Sequence, residues 1–234
     1  MNSFNPAKEK ILVVAAHPDD EVLGLGGTIA KHAAAGAEIA VLIVTDGSSF
    51  QYRKSPELSK IIEAKRQETA NCARVLGVKQ VFYGNLPDMK LDVTPHTEIN
   101  QVIENCVQTF APSIVFTHFS ADVNKDHQRV YESTLVACRP TSEQCVKKLF
   151  SYSVPSSTEW NAQTSASAFL PNWYEDISGE YAEIKYRALS CYQTELREYP
   201  HPRSVQYLRI ADTAEGNRVG LLSAESFILL RSIG

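Results

Sequence analysis

Four short apolar runs, at residues 11–16, 38–45, 80–83 and 113–117, alternate with longer segments of helical period at 22–35, 57–76 and 96–110. The runs are rich in Val, Ile and Leu, and apolar residues fill most of their positions rather than every other one, as in strands buried on both faces. Strands that alternate with helices in this way build a parallel sheet through right-handed crossovers. Gly36 and Gly77 stand just past two of the helical segments, where a left-handed residue ends a helix. The pattern predicts an α/β fold, Rossmann-like and three-layered, with a mostly parallel sheet.

Beyond residue 140 the regularity fades. A helix is expected over 126–138 and a short strand over 149–154. Proline and aromatic residues crowd the stretch from Pro155 to Tyr174, and a helical segment follows over 181–196. Tyr199-Pro-His-Pro-Arg203 cannot be helical with prolines so placed. The apolar segment 221–230 is expected to pack back on the core. We therefore read residues 1–234 as one domain, with a core over 1–140 and a loop-rich part over 141–234 that forms a lid or substrate wall.

Composition excludes several classes of function. A chain of 234 residues buries roughly 70–75% of its unfolded surface and needs no staples. Its five cysteines include no C-x-x-C pair, and Cys72, Cys106 and Cys138 read as buried thiols. The net charge of −4 is spread along the chain, so nucleic acid is not an expected partner. No apolar run approaches ~18 residues, and residues 1–10 have no leader-like pattern; neither membrane spanning nor export is indicated, and a cytoplasmic location is expected. Oligomeric state leaves no signature.

Chemistry concentrates at the ends of two of the expected strands. Ala16-His17-Pro18-Asp19-Asp20-Glu21 sits where the first strand gives way to a helix, and His118 to His127 follows the strand at 113–117. Ligands in open α/β folds bind at the carboxyl ends of strands. Acidic residues in a first helical turn are also stabilised by the helix dipole, by about 0.3–1 kcal/mol each. That explains some of Asp19, Asp20 and Glu21, but neither histidine. Zinc in catalytic sites keeps three protein ligands, and His17, Asp20 and His127 supply two imidazoles and a carboxylate. Asp126 is then a candidate to anchor the second ring nitrogen of a ligating imidazole, with His118 as another outer contact.

These motifs, with Gly24, Gly26 and Gly27, Thr45-Asp46-Gly47, Glu68, Leu76-Gly77 and Ser156-Ser-Thr-Glu159-Trp160, resemble the PIG-L/LmbE-like zinc-dependent N-acetylglucosaminyl deacetylases. The resemblance implies Zn2+ held by His17, Asp20 and His127, with Asp19 as the general base; such N/O ligands also accept other divalent ions, iron or cobalt among them. It implies a small amino-sugar or glycoconjugate substrate whose N-acetyl group is hydrolysed to acetate and a free amine. Two positions depart from the family pattern. Asn124 stands where many members have a histidine that meets the oxyanion or protonates the leaving group, and an amide cannot act as an acid. Lys65, with Arg66 beside it, stands where members have an arginine; an ammonium is not equivalent to a forked guanidinium. His201, between two prolines, is the candidate to supply the missing acid.

Asp46 at the second strand's tip suits either a sugar hydroxyl or a turn with Gly47. Lys65, Arg66, Arg139 and Glu159 are candidates for shaping the substrate pocket, and Trp160 for stacking on a pyranose face. The competing class is a non-catalytic sugar- or nucleotide-binding Rossmann-like protein. Gly24-Leu-Gly26-Gly27 follows a strand, but its spacing is not G-x-G-x-x-G and it falls inside the helix. A binding protein also has no use for a spare carboxylate at Asp19.

Overall fold

The computed structural model describes residues 9–234; the expected absence of a leader over 1–10 falls, for 1–8, outside them. The described residues form a sheet of β1 (Lys10–Ala15), β2 (Glu38–Thr45), β3 (Gln80–Leu86), β4 (Ile114–Thr117), β5 (Lys148–Tyr152), β6 (Trp173–Asp176) and β7 (Ala224–Ser232). Their spatial order is β3-β2-β1-β4-β5-β7-β6. β1 to β5 run parallel, and β7 inserts antiparallel between β5 and β6. The helices are α1 (Asp20–Ala34), α2 (Leu58–Leu76), α3 (His96–Phe110), α4 (Lys125–Ala137), α5 (Glu180–Leu189) and α6 (Val205–Asn217).

The continuous apolar character of β1 divides cleanly between two cores. Ile11, Val13 and Ala15 face a cluster shared with α1, α2 and α5. Leu12, Val14 and Ala16 face the other, built with α3 and α4. Full burial of a branched side chain is worth about 1.5–3 kcal/mol, so this strand fixes the register of both layers. Gly36 and Gly77 take φ of 93° and 79°, closing α1 and α2 as their positions suggest. Gly24, Gly26 and Gly27 lie within α1, not in a phosphate-binding loop before it.

The C-terminal part carries more regular structure than its composition suggests, contributing β5, β6 and β7 to the sheet. The expected helix over 181–196 ends at Leu189. Bonds from Cys191 N to Ala188 O and from Tyr192 N to Leu189 O tighten the chain into turns there. Those turns deliver Tyr192 to Glu21 and Glu195 to Lys65; tertiary contacts override the helical period. None of the described helices is long and apolar enough to cross a membrane.

Candidate metal centre

The strand order reverses between β2-β1 and β4-β5, which makes the β1/β4 gap the topological switch point where such sheets bind ligands. β1 and β4 pair directly, Val13 opposite Phe116. The two polar motifs, about a hundred positions apart in the chain, therefore emerge side by side. The Ala16 N–H donates to His118 Nε2 at 2.8 Å and ties the two strand tips together.

Hydrogen bonds set the tautomers of both candidate ligands. His17 Nε2 faces Asp126 Oδ2 at 3.1 Å. That carboxylate already accepts from the N–H groups of Met89 and Leu91, so the imidazole donates and its Nδ1 keeps a bare lone pair. His127 Nδ1 lies 3.1 Å from Asp122 Oδ2. Asp122 also accepts from Asn124 N–H and from the hydroxyls of Ser157 and Thr158. Burial opposes ionisation there, but the hydrogen bonds from His127, Ser157 and the Asn124 N–H hold Asp122 down at about 2. His127 Nε2 is thus the bare nitrogen of its ring.

Those two lone pairs meet each other and one carboxylate oxygen. His17 Nδ1 is 3.2 Å from His127 Nε2, and Asp20 Oδ2 is 3.4 Å from the first and 3.5 Å from the second. Tetrahedral ligands at about 2.0–2.1 Å from zinc lie about 3.3–3.4 Å apart, so the triangle has the size of three zinc ligands. Three acceptors at such spacing repel one another unless positive charge stands between them. Without a metal, the carboxylates of Asp20, Asp122 and Asp126 outweigh burial and favour protons on the rings, raising the pKa of His17 and taking that of His127 to about 9. A metal would displace those protons. A second group, His17, Asp88 and Asp126, also lies within 4.8 Å. It would have to use His17 Nε2, whose proton Asp126 holds, so the first triangle fits a metal better. His118 stacks on His127 with centroids 4.0 Å apart. Burial above all lowers it to about 4, and it stays a neutral backing ring.

Asp19 stands beside the triangle without joining it. Its backbone is left-handed at φ 98°, and its N–H donates to Glu21 Oε2 at 3.2 Å. Its Oδ2 is buried with no hydrogen-bond partner. Burial, with the charges of Asp20 and Glu195, holds its pKa well above the ordinary carboxylate range, against the pull of Arg203. A carboxyl in that state holds a proton more firmly than an exposed one does. Gly47 closes the far side at φ 62°, where a Cβ would fall 2.4 Å from Pro18 Cδ.

A cleft of about 210 Å3 opens over these groups, lined also by Phe50, Lys65, Met89, Asn124, Glu195 and Arg203. Lys65 is buried there, its Nζ bonded to Gly47 O and Glu195. Asn124 caps α4, its Oδ1 accepting from Asp126 N–H at 2.9 Å, while its amide nitrogen faces Met89. Asp126 bonds a candidate ligating imidazole, that of His17 and not of its neighbour His127, because adjacent residues of a helical turn do not face the same point. Other expected contributors stand elsewhere. Arg139 follows the C-terminal end of α4 and bonds Val136 O. The 13 residues of α4 put it about 20 Å from the strand tips. His201 packs edge-on against Trp160, its Nδ1 accepting from Arg203 N–H, and does not line the cleft.

Asp46 accepts from the N–H groups of Ser48 and Ser49 as a turn former. Arg66 bonds Asn85 and covers the Tyr83 ring. Glu159 accepts from Ser156 N–H and borders a neighbouring crevice. Trp160 is exposed. Asp122, Asp88, Glu195 and Arg203 carry no assigned role in the sequence reading. Asp122 was legible as part of Asp122-x-Asn124-x-Asp126-His127, and Asp88 as a residue just past a strand. Glu195 and Arg203 gave no local signal.

Residues 12–138 match the family described as GlcNAc-PI de-N-acetylase, PIG-L. An uncharacterized deacetylase of Escherichia coli, YaiS, is 30% identical over 81% of this chain and 92% of its own. The diacetylchitobiose deacetylase of Thermococcus kodakarensis is 27% identical over 95% of this chain and 83% of its own. Among solved structures, the N,N'-diacetylchitobiose deacetylase of Pyrococcus horikoshii aligns with a TM-score of 0.75 at 22% identity, covering 97% of this chain and 86% of that one. The 4-carboxy-2-hydroxymuconate hydratase of Pseudomonas putida aligns with 0.76 at 20% identity, covering 97% and 98%. At those identities the likeness establishes the fold, which hosts more than one reaction.

Proposed function

The chain belongs to the PIG-L family, and on that premise we propose that it hydrolyses the N-acetyl group of an N-acetylglucosamine-type sugar, giving acetate and the free amine. The observation that carries this reading is the triangle of ligand atoms from His17, Asp20 and His127 with the Asp19 carboxyl next to it, whose buried Oδ2 accepts no hydrogen bond. The donor set, two imidazoles and one carboxylate, suits Zn2+. A divalent cation there supplies Lewis-acid polarisation of the amide carbonyl and makes water a better nucleophile at neutral pH.

The protein's own groups do the rest. Asp19 takes a proton from the attacking water as its oxygen bonds to the carbonyl carbon. The same carboxyl returns that proton to the nitrogen as the C–N bond breaks, so no separate acid is required. Asn124 lines the same cleft, and its amide N–H, now against Met89 Sδ, is the donor offered to the negative charge that develops on the carbonyl oxygen. Asp122 and Asp126 keep both imidazoles in the ligating tautomer.

The test is acetate release from a panel of N-acetylated sugars, N-acetylglucosamine and N,N'-diacetylchitobiose among them, with and without chelator. The reading expects cleavage that chelator abolishes and Zn2+ restores. Cleavage that persists in chelator contradicts it.

A further inference from the structure

Among the described residues, Lys65 and Arg203 are the cations lining the cleft, and they are in different states. Lys65 is 3% exposed and has Gly47 O at 2.6 Å and Glu195 Oε1 at 2.5 Å. Its charge is spent on the protein. Arg203 gives one Nη1 bond to Glu195 Oε2 at 2.7 Å, and that nitrogen lies 3.6 Å from Asp19 Oδ2. Its Nε is buried with no partner. A guanidinium has five N–H donors in a rigid fork. A buried N–H donor left without an acceptor costs about 1–3 kcal/mol. The ion pair with Asp19 is too long for a hydrogen bond, so Asp19 Oδ2 and Arg203 Nε both stay without one.

We propose that Arg203 is the residue by which the protein recognises the sugar hydroxyl next to the acetamido group, with Glu195, braced by Lys65, as its positioning residue. The inference rests on the deacetylase reading above. If Asp19 works at the amide, a donor 3.6 Å from it meets the substituents on the carbons flanking the one that bears nitrogen. Both of those carbons carry oxygen, and the one at C3 is a free hydroxyl even in C1 glycosides. Arginine offers donors only, so it meets an oxygen. The carboxyl groups of Glu195, Asp19, Asp20 and Asp88 line the cleft, a setting that favours a neutral hydroxyl over a phosphate. His201, two residues earlier, is the neighbour whose turn carries Arg203 inward.

The test pairs Arg203→Gln with loss of the hydroxyl. The methyl glycoside of N-acetylglucosamine and its 3-deoxy analogue are compared for hydrolysis by wild type and variant. Calorimetric binding of both to the zinc-loaded Asp19→Asn protein, with and without Arg203→Gln, gives a second readout. We expect R203Q to lower kcat/KM for the hydroxylated sugar by about 10–100-fold, mostly through KM, and to change the deoxy sugar by less than about threefold. Arg203→Lys and Glu195→Gln should show the same pattern at smaller size. Equal losses on both sugars would mean that Arg203 acts only through Asp19, and would overturn the proposal. So would no loss on either. If R203Q does not fold, wild type alone decides: it must disfavour the deoxy sugar by about 10-fold or more. Wild type that cleaves other N-acetyl sugars but handles these two alike sinks this inference and leaves the deacetylase reading standing; wild type that cleaves none sinks both.

Discussion

At Asp19 the backbone enters a left-handed conformation, φ 98°, which costs a residue with a Cβ about 1–3 kcal/mol. The structure holds it there with the Glu21 side chain, which accepts the Asp19 N–H. Strain at that residue is consistent with a role beyond packing. Asn tolerates the same conformation, so Asp19→Asn isolates the chemistry. We expect it to lower kcat by at least ~10²-fold, with the zinc content by elemental analysis and the thermal midpoint unchanged. Retained turnover would remove Asp19 from the mechanism. The partners of the imidazoles are testable in the same way. Asp122→Asn should weaken zinc binding by about 10–100-fold, read by competition with a chelating dye. Asp126→Asn should do so through His17. An effect of Asp126 on His127 instead would contradict the hydrogen bonding described here.

The elements explain which features were readable in advance. The doubly buried strands β1, β2 and β4 and the helices between them follow from the apolar runs, because burial on two faces leaves no polar position in β1 past Lys10. β3, expected to be buried as well, is only half-buried because it lies at the edge of the sheet. His17, Asp19, Asp20 and His127 were legible because each stands at the junction of a run and a helix. The outer partners were not. Asp88 and Arg203 reach the cleft from loops whose course depends on the whole sheet. His201 and Arg203 lie two residues apart, and only the turn geometry selects the arginine. Asn124 does double duty as the N-cap of α4 and a lining of the cleft. Asn124→Ala should cost ~1 kcal/mol in denaturant unfolding. Asn124→Asp should keep that stability, since aspartate caps as well, yet lower kcat by removing the amide donor. Equal losses of stability in the two variants would argue against the cap.

Across the molecule, buried charge ties the C-terminal elements to the helix that starts at the site. Glu225 on β7 accepts from Gly27 N–H and Thr28 N–H, just past the non-helical Leu25 of α1. Lys185 on α5 pairs with Glu225 at 2.8 Å and with Asp212 on α6 at 2.9 Å. Removing one partner leaves unpaired buried charge, so Lys185→Met should destabilise by about 3–5 kcal/mol. A loss under ~1 kcal/mol would show that the network is not a clamp. Stability should also depend on pH through Asp122. Its pKa of about 2 in the folded state lies below the ordinary 3.8. Its contribution of about 2 kcal/mol is therefore full above pH ~4 and lost as pH falls toward ~2. Asp122→Asn, compared in chelator, should lack that part of the acid slope. The central claim is that pairing of β1 with β4 brings His17, Asp20 and His127 around one cation while Asp19 stays outside. Anomalous diffraction at the zinc edge, from crystals of the zinc-loaded protein, tests it most directly. The account expects one peak about 2.0–2.2 Å from His17 Nδ1, His127 Nε2 and an Asp20 oxygen; a peak ligated by Asp19, or by His17 Nε2 with Asp88 and Asp126, would contradict it.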